Sequence, residues 1–175
     1  FAADAFSVVT GQPGRIDAFL TTPSVIRPGR EAEVTVEYVN EGDTDVTAPL
    51  IFLQAQNATL RWPDSDVFIG ATTQILGINT SGPAGVLPPG ARGRVTLSFL
   101  PTINNGPVDF NLFVLTDPSG VLDWSVPKAE LRPVFVAAEA WDAIWTNFTA
   151  AVGTTLGQYQ SVLADNATHL SALGI

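Results

Sequence analysis

Alternating apolar and polar residues predict three β-strands in the chain. Successive side chains of a strand point to opposite faces of its sheet, so an apolar residue at every second position gives one buried face and one wet face. This pattern runs through residues 33–38, 94–99 and 108–114. β-branched residues, which fit pleated backbone well, enrich these stretches. We therefore predict a sheet that is covered on one side.

Shorter apolar runs and turn sequences extend this pattern. Residues 50–53 are apolar on both faces and predict a central or covered strand, while residues 15–20 and 75–78 predict shorter strands. The two Pro-Gly pairs each precede an alternating strand and predict equivalent strand starts. Turn-forming sequences separate the strands, namely Pro28-Gly29, Asn40-Glu41-Gly42-Asp43, Pro89-Gly90 and Asn104-Asn105-Gly106-Pro107. About seven short strands with such turns predict an antiparallel sandwich.

Beyond Pro133 the spacing of apolar residues becomes that of helices. Apolar side chains fall on one helix face in two successive stretches: Trp141, Ile144, Trp145, Phe148 and Val152, then Leu156, Tyr159, Leu163, Ala167 and Leu170. Gly153 is suited to end the first helix, and Thr154 or Thr155 to cap the second. Gly174 is placed to end the second helix.

These patterns predict a mainly β fold with a helical end. We expect an immunoglobulin-like antiparallel β-sandwich in residues 1–135, followed by a C-terminal α-helical hairpin in residues 136–175. Two short helices bury too little apolar surface to offset the conformational entropy that folding removes. The hairpin is therefore expected to dock on the sandwich or on the next domain.

Composition and charge narrow the classes of function. The chain carries eight Lys and Arg residues against seventeen Asp and Glu residues, a formal net charge of −9. Nucleic acids are bound through clustered Lys and Arg, so no nucleic-acid partner is expected. The absence of cysteine excludes disulfides, thiolate metal sites and cysteine nucleophiles. Only 14% of the residues are charged, against about 25% in ordinary proteins, which favours an extracellular β-rich module.

No stretch of the chain predicts insertion into a membrane. Its wholly apolar runs reach only about five residues, whereas a spanning helix needs about 20. The sequence begins at Phe1 instead of an initiator Met, and it shows no signal-peptide pattern. We therefore expect the chain to be part of a longer polypeptide, with any anchor outside it.

One stretch of sequence resembles a known family. Residues 28–43, PGREAEVTVEYVNEGD, are similar to the Pro-Gly, alternating strand and Asn-x-Gly-Asp pattern of CARDB-type modules, immunoglobulin-like repeats of large bacterial surface and adhesion proteins. The later stretch with Trp141, Trp145, Gly153 and Tyr159 resembles helical linkers that precede YD-type repeats in giant secreted proteins. Neither pattern brings a catalytic residue with it.

The resemblance implies a non-enzymatic structural or adhesion module of a large secreted or cell-surface protein. Neighbouring domains of the same polypeptide are then the expected partners, together with a cell-surface glycan or protein. An extracellular or cell-surface location follows from the same resemblance.

His169, the single histidine, belongs to the one arrangement with catalytic character. Asp165 lies four residues earlier on the predicted second helix, a spacing that could orient an imidazole beside a serine. No Gly-x-Ser-x-Gly sequence is present to expose such a serine. A histidine near a helix C-terminus is also favoured by the helix dipole alone. We therefore predict no catalytic residue and no enzyme.

Two pairs of aspartates in predicted loops have a spacing that suits calcium: Asp43 with Asp45, and Asp64 with Asp66. Alternate carboxylates and loop carbonyls can together supply the about six to eight oxygens that Ca²⁺ takes. Aspartate is equally an ordinary turn residue, and neither pair matches an EF-hand. Ca²⁺ is thus the one cofactor that the sequence suggests.

Trp62 and Trp124 are the candidates for binding a sugar. Both lie in predicted loops or strand ends, where an exposed ring could stack on a sugar. A carbohydrate-binding accessory module is therefore the alternative function. Aromatic rings are also commonly buried with their polar atom satisfied, which is the interpretation we give to Trp141 and Trp145 on the apolar helix face.

Four Asn-x-Ser/Thr sequons begin at Asn57, Asn79, Asn147 and Asn166. Asn79 precedes Ser81-Gly82-Pro83, a predicted exposed loop, and is the best candidate for glycosylation, with Asn57 a further one. Asn166 falls within the apolar stripe of the second helix, where a glycan would block docking. A buried hydrogen bond is expected there instead.

Overall fold

The computed structural model describes residues 10–79 and 82–174 and shows a mainly β protein with helices at its C-terminal end. All six strands predicted from apolar patterns are present in this part of the chain. The strands are β1 (Ile16–Thr21), β2 (Ala32–Asn40), β3 (Val46–Thr47), β4 (Leu50–Gln56), β5 (Ala58–Arg61), β6 (Thr72–Leu76), β7 (Val86–Leu87), β8 (Arg92–Pro101) and β9 (Asp109–Leu115). The helices are α1 (Ser125–Glu130), α2 (Ala138–Val152) and α3 (Leu156–Ala172).

The strands form two larger antiparallel sheets and one short ribbon. The larger sheets have the orders β1-β2-β8-β5 and β6-β4-β9, and β3 pairs with β7. The prediction of a central strand at residues 50–53 is confirmed, because β4 lies between β6 and β9. One cluster of buried side chains draws on both larger sheets, including Val34, Val36, Leu97, Ile51, Leu53 and Ile75. The alternating residues thus bury one face of each sheet in a common core.

The two Pro-Gly pairs form equivalent turns, one before β2 and one before β8. Gly29 and Gly90 both have a positive φ, 67° and 69°, which glycine adopts without strain. Nothing lies within 4 Å of where either side chain would start, so the conformation of the turn is what requires glycine there. The strands that follow, β2 and β8, pair with each other along most of their length. The prediction of equivalent strand starts is confirmed.

Asn40, fully buried at the end of β2, joins three parts of the chain through its side chain. Its Oδ1 accepts hydrogen bonds from the backbone N–H groups of Arg15, at 3.1 Å, and Gly42, at 3.0 Å. Its Nδ2 donates to the carbonyls of Thr44, at 2.8 Å, and Leu87, at 2.9 Å. All the hydrogen-bonding capacity of this buried amide is therefore used.

The next residues of the same turn hold the segment that precedes β1. A side chain at Gly42 would overlap the carbonyl oxygen of Pro13, so only glycine fits this close approach. Asp43 Oδ2 accepts a hydrogen bond of 2.7 Å from the backbone N–H of Gln12, and the Asp43 N–H donates to the Gln12 carbonyl at 2.9 Å. The Asn-Glu-Gly-Asp sequence therefore stabilises the contact between residues 12–15 and the end of β2.

A second close approach lies between β2 and β8. Tyr38 is only 4% exposed and pairs in register with Gly93. A side chain at Gly93 would overlap the Tyr38 ring. The Tyr38 hydroxyl donates a hydrogen bond of 2.9 Å to the Ile78 carbonyl, beyond the end of β6. The glycine thus provides the space that the ring occupies across the strand pair.

Asn57 forms a corner between the two larger sheets. It separates β4, in the three-stranded sheet, from β5, in the four-stranded sheet. Its φ of 64° is a left-handed conformation that asparagine adopts more readily than most residues. Its Nδ2 donates to the Pro107 carbonyl at 3.0 Å, and its own carbonyl accepts from the Thr102 N–H at 2.9 Å. One continuous segment therefore passes from one sheet to the other.

The helix ends follow the predicted signals. Gly153 follows α2 with a φ of 84°, and Gly174 follows α3 with a φ of 75°. Thr155 caps α3 through a capping box, in which its side chain accepts from the Gln158 N–H while the Gln158 side chain accepts from the Thr155 N–H. Both glycines predicted to end the helices are confirmed. Of the two candidate caps, Thr154 and Thr155, it is Thr155 that caps α3.

The chain between Leu115 and α2 departs from the strand pattern expected up to residue 135. The last named strand, β9, ends at Leu115, and α1 begins at Ser125. Asp123 Oδ1 accepts the Ser125 N–H at 2.9 Å and so supports the start of α1. Pro127 falls in the first turn of that helix, where its missing N–H has no intrahelical partner to lose. The short length of α1 left no helical repeat to detect.

Helix α3 packs directly on the β part of the molecule. A side chain at Gly85 would come within 2.6 Å of the Ala164 carbonyl oxygen and 2.9 Å of the Ala164 Cα. The Thr168 hydroxyl donates to the Ala84 carbonyl at 3.2 Å. Gly85 also has a φ of 79°. Glycine is therefore required at residue 85 by both its conformation and the closeness of the helix backbone.

Replacing Gly85 with alanine should displace α3 from the loop before β7. We expect a loss of about 1–3 kcal/mol in the free energy of unfolding, because the added methyl group meets helix backbone that cannot rotate away. Hydrogen exchange of the α3 amides should become faster in Gly85→Ala. The matched control is Gly29→Ala, a positive-φ glycine with open space around it. Equal exchange of α3 in both variants would contradict this role for Gly85.

Candidate functional site

Aromatic side chains join α2, α3 and the segment before α1. Trp124 meets the rings of Phe148 and Tyr159 edge to face, each with ring centres 5.4 Å apart. Trp145 lies between Trp141, at 5.4 Å, and Phe148, at 4.9 Å. Contacts of this kind add to the stability that ring burial provides. We call these five residues the aromatic cluster.

The polar atoms of two tryptophans in the aromatic cluster are satisfied. Trp124 Nε1 donates to the Gly153 carbonyl at 2.8 Å, and Trp141 Nε1 donates to the Lys128 carbonyl at 2.8 Å. Trp145 is only 8% exposed. The predicted packing role of Trp141 and Trp145 is therefore confirmed. The same contacts hold α1 and the end of α2 in place.

Backbone hydrogen bonds connect the start of α3 to the loop after β9. The Leu122 N–H donates to the Thr154 carbonyl at 2.9 Å, and the Leu156 N–H donates to the Gly120 carbonyl at 2.8 Å. The Gly157 N–H donates to the Pro118 carbonyl at 2.9 Å. The helical end of the chain is thus attached along this loop as well as at Gly85.

Large apolar side chains are exposed chiefly near this C-terminal end. Of fifteen exposed ones in the described residues, nine lie from Val121 onward, in about a third of that part of the chain. The most exposed are Val134, at 100%, and Phe135, at 88%. We define the C-terminal apolar group as Val126, Leu131, Val134, Phe135 and Ile144, all of which are more than half exposed. Exposed apolar side chains are typical of surfaces that contact another protein where they form one patch.

Charged groups near the C-terminal apolar group are partly paired. Lys128 of α1 forms a 2.7 Å ion pair with Asp142 of α2. The Arg132 guanidinium donates to the Val136 carbonyl at 3.2 and 3.3 Å, within the connection between these helices. From Ala137 to the end of the sequence there is no Lys or Arg. Apart from His169, the ionisable side chains of α2 and α3 that can carry a charge near neutral pH are therefore acidic.

The structure places Trp62 and Trp124 in different surroundings, and both are half-buried. Trp62 follows β5 and packs against the core cluster. Trp124 belongs to the aromatic cluster and is hydrogen-bonded through its indole nitrogen. These contacts give both rings a structural role, and sugar binding by them stays a prediction.

A glycan array would test the sugar-binding prediction directly. If either ring stacks on a sugar, Trp62→Ala or Trp124→Ala should abolish binding that the unaltered chain shows. Trp124→Phe is the useful companion, since it keeps an aromatic ring but removes the hydrogen bond to Gly153. We expect that loss to lower the free energy of unfolding by about 1 kcal/mol. Unchanged array binding in both alanine variants would exclude these rings as the ligand site.

The four aspartates of the calcium prediction are all exposed. Asp43 already accepts the Gln12 N–H, so part of its carboxylate has a structural use. Within residues 10–79 and 82–174, no three His, Asp or Glu side chains are grouped so as to hold a metal ion. Calcium binding at Asp43 with Asp45, or at Asp64 with Asp66, stays a prediction.

The asparagines of the sequons lie at three kinds of place. Asn57 forms the corner between the sheets, and Asn79 is half-buried beside a groove of about 510 Å³ between α3 and the loop after β6. Thr80 and Ser81, which complete the sequon at Asn79, lie outside the described residues. Asn166 is exposed, so the prediction of a buried hydrogen bond there is wrong. It lines the edge of the groove next to Ala167 instead.

His169 and Asp165 are both exposed on α3. His169 lies in the last turn of the helix, where a positive charge is favoured by the helix dipole. Neither side chain lines the groove between α3 and the loop after β6. The helix-dipole interpretation is consistent with the position of His169 in the last turn, and the absence of a catalytic residue stays a prediction.

Hydrogen bonds and burial shift the pKa values of a small set of ionisable groups. Hydrogen bonds from Ser119 lower the pKa of Asp117, and hydrogen bonds from Ser125 lower the pKa of Asp123. Both are exposed turn residues near the ends of the loop that supports α3 and α1. Burial raises the pKa of Tyr38 and of Tyr159 above the ordinary value of a phenol. These shifts in pKa thus accompany packing and turn formation.

The two tyrosines predict a loss of stability at alkaline pH. Their pKa values are higher in the folded than in the unfolded chain, so the folded state holds its phenolic protons more tightly. The contribution of these two tyrosines to the free energy of unfolding should stay level below about pH 10, the pKa of a free phenol, and fall as the pH rises through the higher folded values. Urea unfolding at a series of pH values would measure this. In Tyr38→Phe the alkaline slope should decrease but not vanish, because Tyr159 remains.

Compared with models of known protein families, the chain matches none, and a search of curated proteins finds no match either. The resemblance of residues 28–43 to CARDB-type modules therefore stays a prediction. No helix in the described part of the chain is long and apolar enough to cross a membrane.

Proposed function

We propose that this chain is a non-enzymatic structural or adhesion module of a large secreted or cell-surface protein. In this proposal the β part is an immunoglobulin-like sandwich, and α2 and α3 form a helical hairpin attached to it. The division into a four-stranded and a three-stranded sheet supports the sandwich, since constant-type immunoglobulin domains have sheets of the same two sizes, although the order of the strands differs here. The common core of the two sheets supports it further.

The concentration of exposed apolar side chains near the C-terminal end carries the functional part of the proposal. The C-terminal apolar group lies on α1, on α2 and on the connection between them. Its exposure contrasts with the hydrogen-bonded aromatic cluster formed by α2, α3 and the segment before α1. Val134 and Phe135 contribute little to the stability of the isolated chain, because their side chains are almost entirely exposed. Their exposure is what a contact with a neighbouring protein surface requires.

A neighbouring domain of the same polypeptide is the partner we propose for this surface. Helix α3 and the loop after β9 fix the helical end to the β part through backbone contacts. A partner that packs on α1 and α2 would therefore be held at a defined position relative to the strands. This arrangement suits a spacer that sets the geometry between successive domains of an exported protein.

Hydrogen exchange tests this partner in the polypeptide as it is made by the cell. Amides of α1 and α2 should exchange more slowly in the full polypeptide than in the isolated chain. The strands β2 and β8 serve as the internal reference, because their exchange should be the same in both. In the full polypeptide, Val134→Ser combined with Phe135→Ser should remove the protection of α1 and α2. Equal exchange of these helices in both forms would contradict the proposal.

A further inference from the structure

Asn105 and Gly106 form the only Asn-Gly pair in the sequence. They lie in the loop between β8 and β9, and both residues are exposed. Because glycine has no Cβ, the backbone nitrogen of Gly106 can approach the side-chain amide carbon of Asn105 without hindrance. A bond between these two atoms would close a five-membered ring. The loop therefore brings a nucleophile and an electrophile together within one chain.

Hydrogen bonds do not restrain either of these groups. Within residues 10–79 and 82–174, neither the Gly106 N–H nor the Asn105 side chain has a hydrogen-bond partner. Water reaches both groups, since both residues are exposed. Ring closure needs a nitrogen that can lose its proton to solvent and a side chain that can rotate toward it. The loop meets both conditions.

The conformation of the loop requires glycine at residue 106. Its φ is 121°, which residues with a side chain rarely adopt. A Cβ at this position would also come within 3.3 Å of the Ile103 side chain. The loop thus requires the same residue that leaves Asn105 open to attack.

Every other asparagine is followed by a residue that has a side chain. That side chain crowds the nitrogen that would have to attack. Further restraints apply at several of these positions: Asn40 is fully buried and makes four hydrogen bonds. Asn147 and Asn166 lie within α2 and α3, where the next backbone N–H donates to a carbonyl of the preceding turn. The surroundings of Asn105 are therefore the most favourable for this reaction.

We propose that Asn105 is a site of spontaneous deamidation. The Gly106 nitrogen gives its proton to hydroxide or another base and forms a bond to Asn105 Cγ. The Cγ–Nδ2 bond then breaks, and the amide nitrogen takes a proton from water and leaves as ammonia. Water opens the resulting succinimide at either of its carbonyls, which gives aspartate or isoaspartate at residue 105. Because the reacting groups are held in one chain, the reaction needs no enzyme.

Isoaspartate would change the loop where it is attached to the corner between the sheets. The Thr102 N–H donates to the Asn57 carbonyl at 2.9 Å, and Asn57 Nδ2 donates to the Pro107 carbonyl at 3.0 Å. The backbone of isoaspartate runs through its side-chain carbons and so adds a methylene group between these two attachments. Hydrogen exchange of the Thr102 amide should therefore be faster in the isoaspartyl form than in Asn105→Asp. Equal exchange in the two would contradict this effect on the corner.

Peptide mapping by mass spectrometry, after incubation in water enriched in the heavy oxygen isotope, tests the site itself. The folded chain at mildly alkaline pH should acquire a more acidic form with heavy oxygen at residue 105, and faster as the pH rises. Asn105→Gln should lose this form, because the larger ring that glutamine would make closes much more slowly. Asn104→Gln is the matched control, since Asn104 is the neighbouring exposed asparagine and precedes a residue with a side chain. It should leave the rate unchanged.

The same incubation in urea separates the effect of the fold from that of the sequence. A geometry that misplaces reacting atoms by about 1 Å can slow a reaction by about a hundredfold. Because the loop imposes no such restraint, residue 105 should react in the folded chain at a rate within about tenfold of that in the unfolded chain. A larger protection by the fold would overturn the proposal. So would an acidic form that persists in Asn105→Gln, or an asparagine elsewhere in the folded chain that reacts faster.

Discussion

Asn40→Ala is expected to lower the free energy of unfolding by about 3–5 kcal/mol. The substitution removes four hydrogen bonds and leaves buried backbone groups without partners, each of which costs about 1–3 kcal/mol when it is fully shielded from water. The Leu87 carbonyl and the Gly42 N–H are the most strongly affected, because their hydrogen bonds to Asn40 are buried.

Urea denaturation of the unaltered chain and the variant measures this effect. Asn105→Ala is the control, since Asn105 is exposed in a loop and should change the stability by less than about 0.5 kcal/mol. Asn40→Asp keeps the shape of the side chain but loses both donor bonds to Thr44 and Leu87. It should still destabilise the protein by about 2 kcal/mol or more. If Asn40→Asp left the free energy of unfolding unchanged, residue 40 would be needed for its shape and not for its hydrogen bonds.

Gly93→Ala is the second substitution with a large expected effect, about 3 kcal/mol. The new methyl group would occupy space that the Tyr38 ring already fills. The ring has little freedom to move, because it is buried and its hydroxyl is hydrogen-bonded to the Ile78 carbonyl. Crowding of a packed interior forces side chains off their preferred rotamers and shifts the backbone.

Thermal and urea unfolding of Gly93→Ala, Tyr38→Leu and the double variant separate the causes. If the ring is the obstacle, the double variant should be more stable than the sum of the single effects predicts, by about 1–3 kcal/mol. Gly29→Ala is again the control, with a cost of about 1 kcal/mol from its positive φ alone. Additive single effects would mean that Gly93 is needed for a reason other than the Tyr38 ring.

The strands with clear alternation could be predicted because one face of each is buried. Residues 33–38, 94–99 and 108–114 each fall inside an observed strand or extend to within a residue of it. The Pro-Gly turns and the glycines at helix ends could be predicted for a local reason, since their conformations are strained for other residues. Such features depend on residues that are close to each other in the sequence.

Features that depend on distant contacts could not be predicted. Strands β3 and β7 have only two residues each and exist because they pair with each other. Strand β5 follows β4 after a single residue, and its sequence gives no sign that it joins the other sheet. The close approaches at Gly85 and Gly93 depend on residues far away in sequence, namely Ala164 and Tyr38.

The candidate site also has features that the sequence predicts and features that depend on distant contacts. The apolar stripe of α2 was visible in the sequence, but its exposure was not: Trp145 is buried, while Ile144 is more than half exposed. The polar residues singled out for binding chemistry have structural uses that the sequence does not reveal. Asp43 accepts a hydrogen bond from the Gln12 N–H, and Trp124 donates one to the Gly153 carbonyl.

The corner at Asn57 has a mechanical consequence. Because β4 and β5 are consecutive, the two larger sheets are joined by covalent backbone as well as by side-chain contacts. A tensile load that shears one sheet relative to the other is resisted there by peptide bonds, which do not yield as hydrogen-bonded strand pairs do. The link at Asn57 is a single residue long, so it allows less relative movement of the two sheets than the longer connections from β5 to β6 and from β8 to β9.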